Sequence, residues 1–274
     1  YVVTLTGRGD TMGQNTDTFR QDARPKADIL LVIDNSCSMS DEQMALGANF
    51  ANFIKYATTS QVDFQIGVTT TDADDDAMCP NCNTGDLCRV GGVGTGFPST
   101  CTMGTGERII TPSTPMIEDA FNTLVRLGTN GSGTETCVVP AVRALTAPKI
   151  TDPAKNAGFI RPDAVLAVVC VTDALEQANQ PISFYLNQLL NIKGVQRPNL
   201  FSYNVIGPFS NLGANCSTEG IDDGSHMALV TGSNGQVFNG GSLSIYGTGF
   251  AEESGAVLLG GQQVVDIGRY YGLD

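Results

Sequence analysis

The chain has 274 residues, 41% of them hydrophobic, with 15 Lys and Arg against 28 Asp and Glu for a net charge of −13. That apolar fraction excludes a disordered chain, and so acidic a balance excludes a nucleic-acid binder, which needs clustered Lys and Arg to meet phosphates. No apolar run reaches the roughly 18 residues of a membrane helix, so no transmembrane segment is expected.

In chain order, Tyr1–Thr6 (YVVTLT) alternates like a strand of a β-sandwich. Asp28–Asp34 (DILLVID) is a short β-branched run suited to a strand buried on both faces. Ser40–Ala57 reads as a helix, with Ser40 and Gln43 forming a capping box and Met44, Ala48, Ala51 and Ile54 or Lys55 on one face. Val62–Thr69 (VDFQIGVT) is a second buried strand. Residues 70–106 break the pattern with four cysteines, five Asp and seven Gly; a loop this long is functional or stapled. Helices are expected over Pro115–Leu127 and Thr136–Leu145, with Pro140 acceptable only in a first turn.

Ala164–Thr172 (AVLAVVCVT) is the most apolar strand and so central. Pro181–Ile192 is a helix closed by Gly194, Leu200–Ile206 a strand, Ser225–Val230 a short helix and Gln236–Phe238 a last strand. Strand and helix alternate at a spacing that predicts an α/β fold, a doubly wound and mostly parallel sheet with helices on both faces. The ends differ. Residues 1–24 form an N-terminal β segment and linker, 25–238 the main domain with its Cys-rich insertion at 70–106, and 239–274 a Gly-rich segment with strand-like runs at Leu243–Tyr246, Ala256–Leu259 and Gln263–Ile267.

Eight cysteines in an acidic chain point to disulfides and an oxidising, extracytoplasmic compartment. Cys79, Cys82, Cys88 and Cys101 crowd the insertion; a four-cysteine zinc site is the rival reading, although the later gaps fit a zinc knuckle poorly. Because the sequence opens at Tyr1 without Met, it reads as a mature or excised fragment.

The informative run is Asp34-Asn35-Ser36-Cys37-Ser38, directly after the first buried strand. In a doubly wound sheet, ligands sit beyond the carboxyl ends of the strands. A carboxylate and two hydroxyls there suit a hard cation such as Mg²⁺. Gly131–Glu135 (GSGTE) precedes a helix and offers Thr134; Val171-Thr172-Asp173 ends the central strand and offers Asp173.

In this order the motifs resemble the von Willebrand factor A (VWA) domain and its metal-ion-dependent adhesion site, over residues 25–238. The resemblance implies that Asp34, Ser36, Ser38, Thr134 and Asp173 hold the metal, Mg²⁺ with Mn²⁺ or Ca²⁺ as alternatives. Ser36 and Ser38 would ligate directly, and Asp34 and Asp173 partly through water. It further implies a protein or matrix partner whose Asp or Glu carboxylate meets the ion. DILLVIDNSCSM, IGVTTTD, GTNGSGTE and VVCVTD are similar to secreted or surface bacterial members, those of gliding myxobacteria among them. YVVTLTGRGD looks like the last strand of the immunoglobulin-like modules that precede such domains, and residues 240–261 resemble the opening of another. Cys37 and Cys137 stand where similar bacterial members usually or often carry Gly. Both would line the ion, so a Cys37–Cys137 bridge is expected to tie the two metal loops.

Other features have plainer readings. Asp72, Asp74, Asp75 and Asp76 lack the EF-hand Gly and Glu and read as a solvated acidic loop. Arg8-Gly9-Asp10 reads as a turn after a strand. His226, the one histidine, lies at a helix start with no G-x-S-x-G nucleophile elbow in the chain. Glu135 and Glu176 are expected to tune the site's charge or face solvent. The function expected is a metal-dependent adhesion or protein-binding module, not an enzyme. The alternatives are a structural subunit whose metal only orders loops and, more remotely, a metal-dependent hydrolase lacking an evident base.

Overall fold

A computed structural model describes residues 2–8, 14–20, 25–73, 84–91, 101–194, 196–207, 224–233, 235–239, 258–259 and 262–263. The centre is a five-stranded, all-parallel sheet of β3 (Lys26–Ile33), β4 (Asp63–Thr70), β5 (Val165–Val171), β6 (Phe201–Gly207) and β7 (Val237–Asn239), in the order β4-β3-β5-β6-β7. The helices are α1 (Ser40–Thr59), α2 (Ile117–Val125), α3 (Val138–Leu145), α4 (Ile182–Lys193) and α5 (Gly224–Gly232).

Alternation along β3 builds two cores. Ile29, Leu31 and Ile33 pack with Phe64, Ile66 and Val68 of β4 beneath α1 and α2. Leu30 and Val32 pack with Leu166, Val168 and Cys170 of β5 beneath α3, α4 and α5. Side chains of successive strand residues point to opposite faces, so a run apolar at every position must be covered twice. All seven residues of β5 are buried accordingly.

Helix α1 turns a different face to the core from the one its apolar residues outline. Gln43, Gly47, Phe50 and Ala57 are buried, whereas Met44, Ala48 and Ala51 are exposed. Close approach decides this: a Cβ on Gly47 would overlap the Asn122 side chain of α2. Phe50 then stacks on Phe121 with ring planes 7° apart, a contact worth about 1 kcal/mol beyond area burial. The capping box does not form, because Met39 is the N-cap and makes no side-chain cap bond, while Gln43 points elsewhere. Pro140 falls in the first turn of α3, where its missing N–H costs nothing.

The Cys-rich insertion and the residues that follow it in part cover the sheet's edge. Ile110 exchanges two backbone bonds with Ile66 of β4 (2.8 and 2.9 Å), and Cys88 N–H donates to Val68 O at 2.8 Å. Unpaired edge groups would otherwise invite another strand. Cys88 and Cys101 are disulfide-bonded, with Cα atoms 4.8 Å apart. This pairing takes two ligands from the four-cysteine zinc site; Cys79, Cys82 and Cys216 lie outside the described residues.

At the N-terminus, β1 (Val2–Arg8) pairs antiparallel with β2 (Gln14–Arg20), a strand whose polar sequence gave no signal. Arg8 ends β1, and Gly9 and Asp10 lie outside the described residues, as do Asp74, Asp75, Asp76 and the run 243–246. Near the C-terminus, β8 (Leu258–Leu259) pairs antiparallel with β9 (Gln262–Gln263).

Candidate metal centre

The order β4-β3-β5 places a topological switch point between β3 and β5. The chain leaves β3 for β4 on one side and later returns to β5 on the other. Parallel strands that diverge in this way open a crevice at their carboxyl ends. Asp34 follows β3 there, and Thr172 and Asp173 follow β5. A loop between α2 and α3, residues 131–135, closes the third side.

Asp34 is fully buried. Its Oδ1 accepts the Ser36 N–H at 2.8 Å and its Oδ2 accepts the Thr172 hydroxyl at 2.6 Å. The Ser36 and Ser38 hydroxyls are 3.2 Å apart. Gln43 Nε2 donates to Asp34 O and to Gly128 O, both at 2.9 Å, and its Oε1 accepts the Gly128 N–H at 3.1 Å. The side chain expected to cap α1 therefore stitches the first loop to the chain entering the second.

The second loop is braced by Asp72. Its Oδ1 accepts the Ser132 N–H at 2.7 Å, and its Oδ2 accepts from Asn35 Nδ2 at 3.0 Å and from Thr70 Oγ1 at 3.2 Å. Asp72 is 3% exposed, so the reading of it as part of a solvated acidic loop is corrected. It is a buried acceptor joining the ends of β3 and β4 to the 131–135 loop. Gly131 N–H donates to Asn35 O at 2.8 Å, and a Cβ on Gly131 would overlap the Asn35 amide.

The expected Cys37–Cys137 bridge is also corrected. Cys137 is bonded to Cys170, with Cα atoms 5.8 Å apart, and Cys37 is an exposed free thiol. The pleat is the reason. Cys170 points to the face of β5 covered by α3, where buried Cys137 begins that helix, while Cys37 sits in a turn facing out. The bridge still joins two loops of the candidate site, the second and third. Glu176, expected to tune the site's charge or face solvent, is half-buried at the start of α3. Its Oε2 accepts the N–H groups of Cys137 (3.0 Å) and Val138 (3.3 Å) at the start of α3, where the Cys137 side chain makes no cap bond and the Thr136 hydroxyl accepts the Val139 N–H at 3.4 Å. His226 is buried in α5, on the α3/α4/α5 side of the sheet.

One carboxylate oxygen each of Asp34, Glu135 and Asp173 lies within 4.8 Å of the others. Burial, then the negative charge of Asp34 and of Asp173, pushes the Glu135 carboxyl up to about 7, with the nearby Ser36 hydroxyl opposing. Burial likewise raises Asp34, with Asp173 adding and the bonds from Thr172 and Ser36 opposing. Glu42 is raised by burial and by Asp173, Asp41 and Asp34. Among the described residues, no Lys or Arg forms an ion pair with Asp34, Glu42, Glu135 or Asp173. Hard oxygen donors converge on uncompensated negative charge, a donor set that fits a hard divalent cation.

Asp34, Ser36 and Asp173 thus meet at one end of the sheet, with Ser38 beside Ser36. Thr134 flanks Glu135 in the second loop, half-buried, with its N–H on Ser132 Oγ at 2.8 Å. The residues that sequence reasoning missed are Glu135 as a cluster member, and Asp72, Asn35, Gln43 and Thr172 as its supports. A Glu adjoining the expected Thr was the one available signal. The supports depend on contacts across 37 to 138 residues of chain.

No protein-family model and no curated protein matches the chain. Solved structures do. Proximal thread matrix protein 1 from the mussel byssus aligns at 12% identity and TM-score 0.41 over 80% of this chain and 45% of its own. The pilus adhesin SpaC from Lactobacillus rhamnosus GG, in its open conformation, aligns at 11% identity and TM-score 0.39 over 86% of this chain and 31% of its own. The chain therefore spans less than half the length of these structures, and at such scores the likenesses bear on neither partner nor activity.

Proposed function

We propose that this chain is an extracytoplasmic, metal-dependent protein-binding module of the VWA type. Asp34, Ser36, Ser38, Thr134 and Asp173 would hold one divalent cation, Mg²⁺ or else Mn²⁺ or Ca²⁺. The observation that carries the reading is the convergence of the Asp34, Glu135 and Asp173 carboxylates, beside the Ser36 and Ser38 hydroxyls, at the switch point of a parallel sheet. The cation would supply an electrophilic centre able to accept a carboxylate from a partner's Asp or Glu. The protein's part is to hold neutral hydroxyls and braced carboxylates around it. Two buried disulfides support an oxidising compartment. Binding rather than turnover is the proposed role.

The test is thermal stability after chelation, titrated with Mg²⁺, Mn²⁺ and Ca²⁺ beside Asp34→Ala. At a hundred times the dissociation constant, binding adds about 2.7 kcal/mol, several degrees for a domain of this size. A shift lost in the variant is expected; no shift in either protein overturns the reading. A structural-subunit reading is favoured by the Cys137–Cys170 bridge, which fixes two of the three loops without any ion. It predicts the same metal-dependent shift, but no metal-dependent capture of a carboxylate-bearing partner.

A further inference from the structure

We propose that Glu135 is itself a ligand of this cation and closes the site from within, so that a partner's carboxylate binds only by displacing it. The inference rests on the metal-binding reading above and concerns how that site is regulated.

Three observations carry it. First, the carboxylate that the 131–135 loop brings within 4.8 Å of both Asp34 and Asp173 belongs to Glu135. Second, its backbone is fixed in place. Gln177 N–H donates to Glu135 O at 3.1 Å, Asp72 pairs with Glu135 in an antiparallel bridge, and Cys137, two residues on, is bonded to Cys170. The loop is therefore not free to carry Glu135 away, and only its side chain can swing. Third, charge sets the order of events. A divalent ion among the carboxylates of Asp34, Asp173 and Glu135 has net charge −1. A partner's carboxylate entering that set would raise it to −2 in a partly dry crevice, where like charges repel strongly. Removal of Glu135 from the ion keeps the charge at −1 after the partner has bound. The internal carboxylate thus competes with the external one for the same charge, and it screens the ion from weak carboxylates.

The test uses the full chain with Mn²⁺ as the probe ion, read by water-proton relaxation and by electron paramagnetic resonance, and with acetate as the carboxylate probe. Glu135→Gln keeps the shape, and Glu135→Ala removes the group altogether. Melting of both in chelator checks the fold. Both variants are expected to bind Mn²⁺ on the order of tenfold more weakly. Both should raise the relaxation enhancement per bound ion, because water takes the vacated position. Acetate should then reduce that enhancement in Glu135→Gln at concentrations that leave the wild type unchanged. Wild-type affinity and wild-type enhancement in both variants overturn the proposal while leaving the metal site standing. If neither wild type nor Asp34→Ala binds Mn²⁺, the metal reading fails and this one with it.

Discussion

Removal of the Cys137–Cys170 bridge by Cys137→Ala with Cys170→Ala should destabilise the protein and loosen the loops of the candidate metal site together. The bridge closes 33 residues of chain. Releasing that constraint on the unfolded state costs about 4 kcal/mol, from the logarithm of the loop length. Both cysteines are buried, so the two lost sulfurs add on the order of 1 kcal/mol. A total near 5 kcal/mol is a large part of the stability of an ordinary domain. The companion variant Cys88→Ala with Cys101→Ala opens only 13 residues at the covered sheet edge, for about 3 kcal/mol. Guanidinium unfolding measures both losses, and Mg²⁺ titration of each folded variant measures the site. The first pair should lose Mg²⁺ affinity because residue 137 lies two positions beyond Glu135 and residue 170 three before Asp173. The second pair should keep it. A first-pair loss below 1 kcal/mol, or equal Mg²⁺ affinities in the two variants, would refute the reasoning.

Two further outcomes follow from the site. Asp72→Asn turns one acceptor oxygen into a donor that must face either Ser132 N–H or the Asn35 and Thr70 donors. The cost is about 2–4 kcal/mol with a fall in metal affinity, and urea unfolding within 0.5 kcal/mol of wild type would remove Asp72 from its bracing role. The third outcome is a pH dependence. In chelator, the folded Glu135 carboxyl holds its proton up to about 7, above its ordinary 4.5. Folding then binds a proton between those values, so this group's contribution to stability is fully present below 4.5 and is lost as pH rises through 7. Asp34 and Glu42 shift in the same direction. If the proposed cation binds the ionised carboxylates, it should reverse the trend, with a stabilisation that grows with pH over that window. Melting temperatures at pH 5 and 7.5, with chelator and with Mg²⁺, read both trends. A chelated protein that grows more stable with rising pH would contradict the charge cluster, as would a Glu135→Gln variant with the wild-type slope.

The parallel α/β architecture was legible in the sequence because its signals are local. DILLVID and AVLAVVCVT are short, rich in β-branched residues and apolar at nearly every position, as a strand covered on both faces is. The D-x-S-x-S run, Thr134 and Asp173 each follow or precede an element whose direction the parallel sheet dictates, so their arrival at one edge could be expected from topology alone. The polar strand β2 was not legible, since its order depends on pairing with β1 and not on its own composition.

What only the tertiary structure decided concerns contacts between distant residues. The α1 face was misread because a glycine's value lies in the helix it lets approach, and Gly47 meets α2 some seventy residues on. Gln43 reads as a cap by spacing yet spans to Gly128, and Asp72 reads as a solvated acid yet accepts bonds from Asn35, Thr70 and Ser132. Cys137 pairs with Cys170 and not Cys37 because the pleat of β5 aims one sulfur at α3 while the turn after β3 aims the other at solvent. Local pattern is enough to mark the apolar strands of the parallel sheet, the helices between them and their order. Which polar groups are buried, and which partner satisfies each, is a property of the packed molecule.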